Sequence, residues 1–286
     1  MSSIAQLGTL VRRMDVDLTG FIDSHLHAAP EHIPRLLDDI RIAEQAREAG
    51  MAGVLIKSHT TLTADRATIA STVVPGIRVW GGLVLNYAVG GFNPAAVETA
   101  LAYGAAEIWM PTLDAANQRR FLGHEGLGLE FSRADARENI QAIFHLIASH
   151  DVILGTGHLS AVETFLLVGL ARQAGVKKIL ITHPEAPFID MPISMQRELA
   201  TLGCRFERTW VFTTPALGQT MKPERMLHEI KEVGVASTIL ATDMGQIGNP
   251  PPVEGLRAYI QACSQAGFSM SQIRRMGADN IREWLS

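Results

Sequence analysis

Cysteine is scarce. Only Cys204 and Cys263 occur in 286 residues, far apart and in no CxxC pair. That excludes a disulfide framework or a cysteine-based zinc site, and makes a reducing cytoplasm the expected setting. A strong charge of either sign is also missing: 25 Lys and Arg stand against 29 Asp and Glu, for a net charge of −4. Without a basic excess or basic clusters, neither nucleic acid nor an anionic membrane surface is expected as a partner. No run of about 18 apolar residues exists to span a membrane. The first twenty residues lack the long apolar stretch of a secretory signal. Low-complexity linkers, composition breaks and short repeats are absent too. The expectation is therefore a single domain over 1–286, with a leading helix over 1–20 and a barrel with C-terminal helices over 21–286.

Apolar residues are plentiful, at 47% of the chain, and they are arranged in alternation. Short β-branched runs are followed by longer amphipathic ones. Eight strand candidates emerge: 21–25, 53–58, 78–86, 107–112, 152–158, 178–183, 204–210 and 238–243. Helical patterns lie between them. Asn93 and Pro94 open one that Gly104 ends, and Ser160 with Glu163 forms a capping box for another that Gly175 ends. Further helices are expected over about 34–48, before Gly50, and over 133–149, where Ser132 and Asp135 mark the start. Strand then helix, eight times, implies parallel strands with right-handed crossovers. The fold class is α/β, and eight units suit a (β/α)8 TIM barrel; an open doubly wound sheet is the rival. Two long connections, 113–131 and 244–252, follow strands, which places them on the catalytic face of a barrel.

The chemistry sits where the apolar runs stop. The first strand ends in Asp23, His25 and His27 at alternate positions, which points the two imidazoles to one side with Asp23 below them. An HxH pair alone is a weak signal. The fifth strand ends in His158, the sixth in His183 and the eighth in Asp243. Each alone could cap a strand or bond a carbonyl. Together they make a ligand set for a divalent metal, zinc first, with manganese, iron or cobalt also accommodated. This pattern of strand ends resembles the metal-dependent amidohydrolase superfamily, over nearly the whole chain. The closing segment, with Asn280 opening the last helix, is similar as well. The resemblance implies that His25, His27 and Asp243 hold the more buried metal. It implies that His158 and His183 hold a second ion, or that one of them orients substrate. Asp243 would accept a proton from the attacking water. Asp243, Lys57 and His183 are the candidate catalytic groups.

One departure concerns the bridge between two metals. Binuclear members carry a carboxylated lysine or a glutamate on the fourth strand. Here that strand offers only Glu107, at its start. A lysine instead ends the second strand, Lys57, sharing a face with His59. Lys57 is open to three readings: a carboxylated bridge, a cation for a substrate anion, or a partner of Asp23 or Asp243. His59, Arg208 and Asn86 are candidate substrate contacts, although Arg208 fits an internal ion pair equally well. Glu185 is a candidate to orient a ligand or to cap a helix. His124, His145, His150 and His228 are expected on loops and helices away from the chemistry. Met110, Trp109 and Tyr87 are expected to line the pocket.

These residues fit a hydrolase acting on a small-molecule amide, cyclic amide or lactone through metal-activated water. The alternative is a metal-dependent non-oxidative decarboxylase of a small unsaturated or aromatic acid, whose relatives also lack the strand-four bridge. A non-catalytic binder on the same barrel is disfavoured by the cost of burying so many imidazoles and carboxylates without a partner. Apolar helices around the barrel make a homo-oligomer an expectation.

Overall fold

In the computed structural model, residues 16–120, 122–129 and 134–285 are described. Eight strands form the centre: β1 (Ile22–His27), β2 (Gly53–Lys57), β3 (Arg78–Val84), β4 (Glu107–Trp109), β5 (Ile153–Gly155), β6 (Ile179–Thr182), β7 (Arg205–Thr209) and β8 (Thr238–Ala241). They pair in chain order, each parallel to the next. The ring closes just beyond β8. Asp243 N–H donates to His25 O at 2.7 Å, and His27 N–H to Met244 O at 2.8 Å. Closure settles the choice between a barrel and an open doubly wound sheet: this is a (β/α)8 barrel.

Strand alternation builds two apolar layers. Ile22, Leu55, Val84, Trp109, Ile153, Leu180 and Ile239 form the barrel floor, joined by Ile281 and Leu285 of the terminal helix Asn280–Leu285. Their outward neighbours, among them Val54, Ile56, Ile108, Leu154, Ile181, Phe206 and Leu240, pack against the helical ring. Each fully buried aliphatic or aromatic side chain contributes about 1.5–3 kcal/mol. β7 gives nothing to the apolar floor, because its inward position is Glu207.

The helix signals behave as their chemistry dictates. Asn93 accepts from the N–H groups of Ala95 and Ala96, and Ser160 and Glu163 form a reciprocal capping box. The first helix differs from expectation, running Asp39–Glu48 rather than from residue 34. Asp38 is the reason: its side chain accepts from Arg41 N–H and fixes the start there. Residues 28–38 thereby become a loop above the barrel. Of the leading helix expected over 1–20, residues 1–15 lie outside the described residues, and 16–20 are irregular chain ending in a turn. Ser132 of the expected start signal also lies outside them, although the helix itself is present as Ala134–His150. Both cysteines are buried and free. Among the described residues, no helix is long and apolar enough to cross a membrane.

Candidate active site

The polar strand ends converge at the C-terminal mouth of the barrel. A register shift in β1 between Asp23 and Leu26 brings both histidines to the interior. It also separates Asp23 from them. Asp23 does not lie below the imidazoles as a partner for Lys57; its carboxylate accepts from Thr242 N–H at 2.9 Å and Thr242 Oγ1 at 2.5 Å, clamping β1 to β8. His25 Nε2 and His27 Nε2 lie 3.2 and 3.1 Å from Asp243 Oδ1. His183 Nε2 approaches the other oxygen, Oδ2, at 3.4 Å. Asp243 thus stands between the strand-one pair and the strand-six imidazole.

His183 and Asp243 both take left-handed backbone angles, with φ of 51° and 52°. Neither is glycine, so each conformation costs about 1–3 kcal/mol, and such strain concentrates at functional sites. Gly245 follows with φ of 135°, where a Cβ would lie 2.0 Å from His27 O. Only glycine lets the β8 loop settle on the end of β1.

The far sides of the rings decide which nitrogens are available. His25 Nδ1 donates to Glu207 Oε2 at 2.8 Å. His158 Nδ1 donates to Gln118 Oε1. His183 Nδ1 meets Thr209 Oγ1, and His59 Nδ1 meets Thr112 Oγ1, both at 2.8 Å. His27 Nδ1 faces Glu31 Oε2 at 3.5 Å, an ion-pair contact without hydrogen-bond geometry. With Nδ1 engaged outward, the Nε2 lone pairs are left to face the centre, the arrangement that outer partners impose on metal-ligating histidines. Ligand atoms of His25, His27 and Asp243 lie within 4.8 Å of one another. This donor set fits a divalent cation.

Electrostatics agree. Burial, reinforced by neighbouring imidazoles and Lys57, holds His59, His158 and His183 well below the usual histidine range, so these rings are neutral. Burial opposes charge on Asp243, but the surrounding His25, His27 and His183 outweigh it and keep the carboxylate ionised. For His25, burial is outweighed by Asp243 and Glu207, which raise its pKa.

Lys57 is fully buried, with Nζ 3.1 Å from His25 Nε2 and 5.2 Å from the centre of the Trp109 ring. No carboxylate among the described residues lies within ion-pair distance of it, which removes the reading of Lys57 as a simple partner of Asp23 or Asp243. Burial lowers its pKa, favouring the neutral amine, the form that can add carbon dioxide. Trp109, from β4, fills the space beneath Lys57.

His59 stacks on His27 at 4.6 Å and lies on the cavity wall. Asn86 does not face the cavity. Its Nδ2 donates to His59 O at 3.0 Å and to Thr112 Oγ1 at 2.8 Å, while Oδ1 accepts from Thr112 N–H, tying β3 to the groups that hold His59. Arg208 lies elsewhere. Glu207 and Thr209 point into the barrel, so Arg208 points out, fully buried, paired with Glu185 and donating to Gln196 Oε1 at 2.8 Å. Glu185 is committed to that ion pair rather than to a ligand or a helix cap. His124, His145, His150 and His228 are exposed, as expected.

The cavity above these groups measures about 420 Å³. Its walls are not the ones expected. Met110 packs into the outer core, Trp109 lies under Lys57, and Tyr87 is half exposed. Phe188, Phe212, Ile33, Leu113 and Leu217 supply the apolar surface, and Arg35, Gln118 and Gln246 the polar points. All of these come from loops or from short helices within them, where no periodicity announces which side chain turns inward.

Solved structures with the same architecture span almost the whole chain. The lactonase Lmo2620 from Listeria monocytogenes is similar with a TM-score of 0.66 and 12% identity, covering 94% of this chain and 95% of that one. A phosphotriesterase homology protein from Escherichia coli, solved with phosphate in its active site, gives 0.67 and 14%, covering 95% and 100%. An amidohydrolase from Pseudomonas aeruginosa gives 0.64 and 10%, covering 93% and 95%. The likeness to these structures is one of fold: the same barrel, across the whole chain. No curated protein matches the chain in sequence. A family model does match, across the segment from Gly20 into β7 that carries the imidazoles, Lys57 and Glu207; over residues 20–207 the chain belongs to the family of unknown function DUF6282.

Proposed function

We propose that this protein is a metal-dependent hydrolase of a small-molecule amide, cyclic amide or lactone. The observation that carries the reading is the convergence of His25 Nε2 and His27 Nε2 on Asp243 Oδ1, at 3.2 and 3.1 Å, with their Nδ1 atoms facing Glu207 and Glu31. His25, His27 and Asp243 would hold a divalent ion, zinc first. His158 and His183 would hold a second ion or the substrate carbonyl. When bound, such an ion polarises the carbonyl and brings the pKa of water toward neutrality.

The chain's own residues do the rest. Glu207 fixes the His25 ring through Nδ1. Asp243 holds a carboxylate at the centre and takes the proton of the attacking water at Oδ2, the oxygen nearer His183. It then delivers that proton to the leaving nitrogen or oxygen, as a general acid. Lys57 Nζ lies 3.1 Å from His25 Nε2 and shares the cavity wall with His27, His59, His158 and His183. Its placement suits a carboxylated bridge, and equally a cation that holds the substrate. The apolar cavity wall selects a partly apolar substrate.

Replacing Asp243 with Asn tests this. The variant keeps the shape of the side chain and loses the base. Turnover of aryl amides and lactones should fall by about 10²–10⁴-fold, with circular dichroism unchanged. Turnover within a few-fold of the native protein would sink the mechanism. Release of carbon dioxide from aromatic acids, with no hydrolysis, would move the assignment to the decarboxylase reading.

A further inference from the structure

A cation in the cavity wall takes no part in the chemistry above. Arg35 belongs to the loop between β1 and the helix Asp39–Glu48, yet its side chain is only 3% exposed. Its Nε donates to Glu31 Oε2. Among the described residues, neither of its terminal nitrogens, Nη1 and Nη2, has a hydrogen-bond partner. Arg35 lines the same cavity as His27, Lys57, His158 and Asp243. The residual exposure of this side chain lies on the cavity wall, so its terminal N–H groups, without a protein acceptor, bond to whatever fills the cavity. An edge of this kind on a cavity wall is built for a partner that arrives.

Arg35 is also held in place. Its backbone bridges to Gln246, and the next residue, Leu36, donates its N–H to Gly245 O at 2.9 Å. Glu31 fixes the side chain and joins it to the centre. One oxygen of Glu31 accepts from His59 N–H at 2.6 Å and from Ser58 Oγ at 3.2 Å, while the other faces both Arg35 Nε and His27 Nδ1. A single carboxylate, ion-paired with Arg35, thus stands between it and a ligand histidine.

We propose that Arg35 binds a carboxylate on the substrate, so that this site takes a small amide or lactone bearing a free carboxylate and an apolar group. The inference rests on the hydrolase reading and adds the substrate class. Two parallel N–H groups suit the two oxygens of a carboxylate. The charge balance favours a monoanion over a phosphate dianion. Glu31 already offsets part of the Arg35 charge, and Lys57, the other lysine or arginine on the wall, stands among the imidazoles. Phe188, Phe212 and Leu113 face the remaining volume and receive the apolar group.

The test uses metal-loaded protein and calorimetric binding of hippurate, an aryl amide with a carboxylate. Its comparators are neutral hippuramide and the phosphonate analogue of hippurate. The native protein should bind hippurate about tenfold or more tightly than hippuramide, as a charge-assisted pair in a dry site requires. In Arg35→Gln that preference should collapse to about twofold, with hippuramide affinity and metal content unchanged. Arg35→Lys, which keeps a cation opposite Glu31, should retain part of it. Equal binding of hippurate and hippuramide to the native protein, no saturable hippurate binding, or tighter binding of the phosphonate would each overturn the proposal. So would a preference that survives in Arg35→Gln. Hydrolysis is scored apart, as benzoate release. Preference without benzoate keeps Arg35 and removes the hydrolase reading. Benzoate release from hippurate and hippuramide at equal kcat/KM keeps the hydrolase and removes the role of Arg35.

Discussion

Two buried clusters of charge lie on opposite faces of one strand. On the outer face of β7, Arg208 pairs with Glu185, donates to Gln196 Oε1 at 2.8 Å and lies 3.6 Å from Glu229 Oε2. On the inner face, Glu207 accepts from His25 Nδ1, and beyond His25 stand His27, His183, Lys57 and Asp243. The outer cluster is nearly complete: the charged head of Arg208 has a matched acceptor, and its members face one another. The inner cluster is left open. Several imidazole Nε2 atoms and one carboxylate aim at a common point, with their other atoms engaged behind them. Adjacent positions in sequence, 207 and 208, therefore serve different ends. A closed network holds elements of the fold together. A convergent one awaits a ligand.

The sharpest way to break this comparison is to open the closed cluster. Arg208→Met leaves Glu185 buried without its cation, while Glu229 keeps Arg225 at 3.1 Å, and should cost about 3–5 kcal/mol of stability. Denaturant melts should show that loss, while metal bound per folded chain stays at the native level. Adding Glu185→Leu to Arg208→Met should return much of the stability, because an apolar pair can replace a buried ion pair at little cost. A large drop in metal content in Arg208→Met, with the fold intact, would tie the outer cluster to the site and erase the distinction.

A smaller effect sharpens the other side. Glu207→Gln keeps the size of the side chain and weakens the acceptor for His25 Nδ1. Metal affinity should fall by about 10- to 100-fold, as it does when the outer partner of a ligand histidine is altered. Competition with a chromophoric chelator reads this directly. An unchanged affinity would reduce Glu207 to a space-filling role in the barrel.

Which of these groups could be read from the chain depended on register. Most of the strands were legible because they are apolar, β-branched runs that stop at a polar residue, and the imidazoles and Asp243 were legible because they are those stops. Arg208 was not. The segment CRFERTW carries adjacent charges, and only the pairing of Glu207 with Thr182 and Ile239 decides which of them points inward. The parity of β1 was hidden in the same way, because the register shift after Asp23 leaves no mark in the sequence. Arg35, Gln118, Phe188 and Phe212 lie on loops or short loop helices, where tertiary contacts alone fix the direction of a side chain. Asp38 was the one local signal that could have freed Arg35 from the first helix, since its capping interaction ends the loop three residues later.

Metal per chain, by elemental analysis of protein purified without chelator, tests the central claim most directly. The native protein should carry at least one divalent ion, and the double variant His25→Ala, His27→Ala should carry none while keeping its circular dichroism. In Lys57→Ala, a fall from two ions to one would identify Lys57 as the bridge, whereas one ion in both would assign it to the substrate. A native chain that holds no metal, even after zinc or manganese is supplied, would contradict the account.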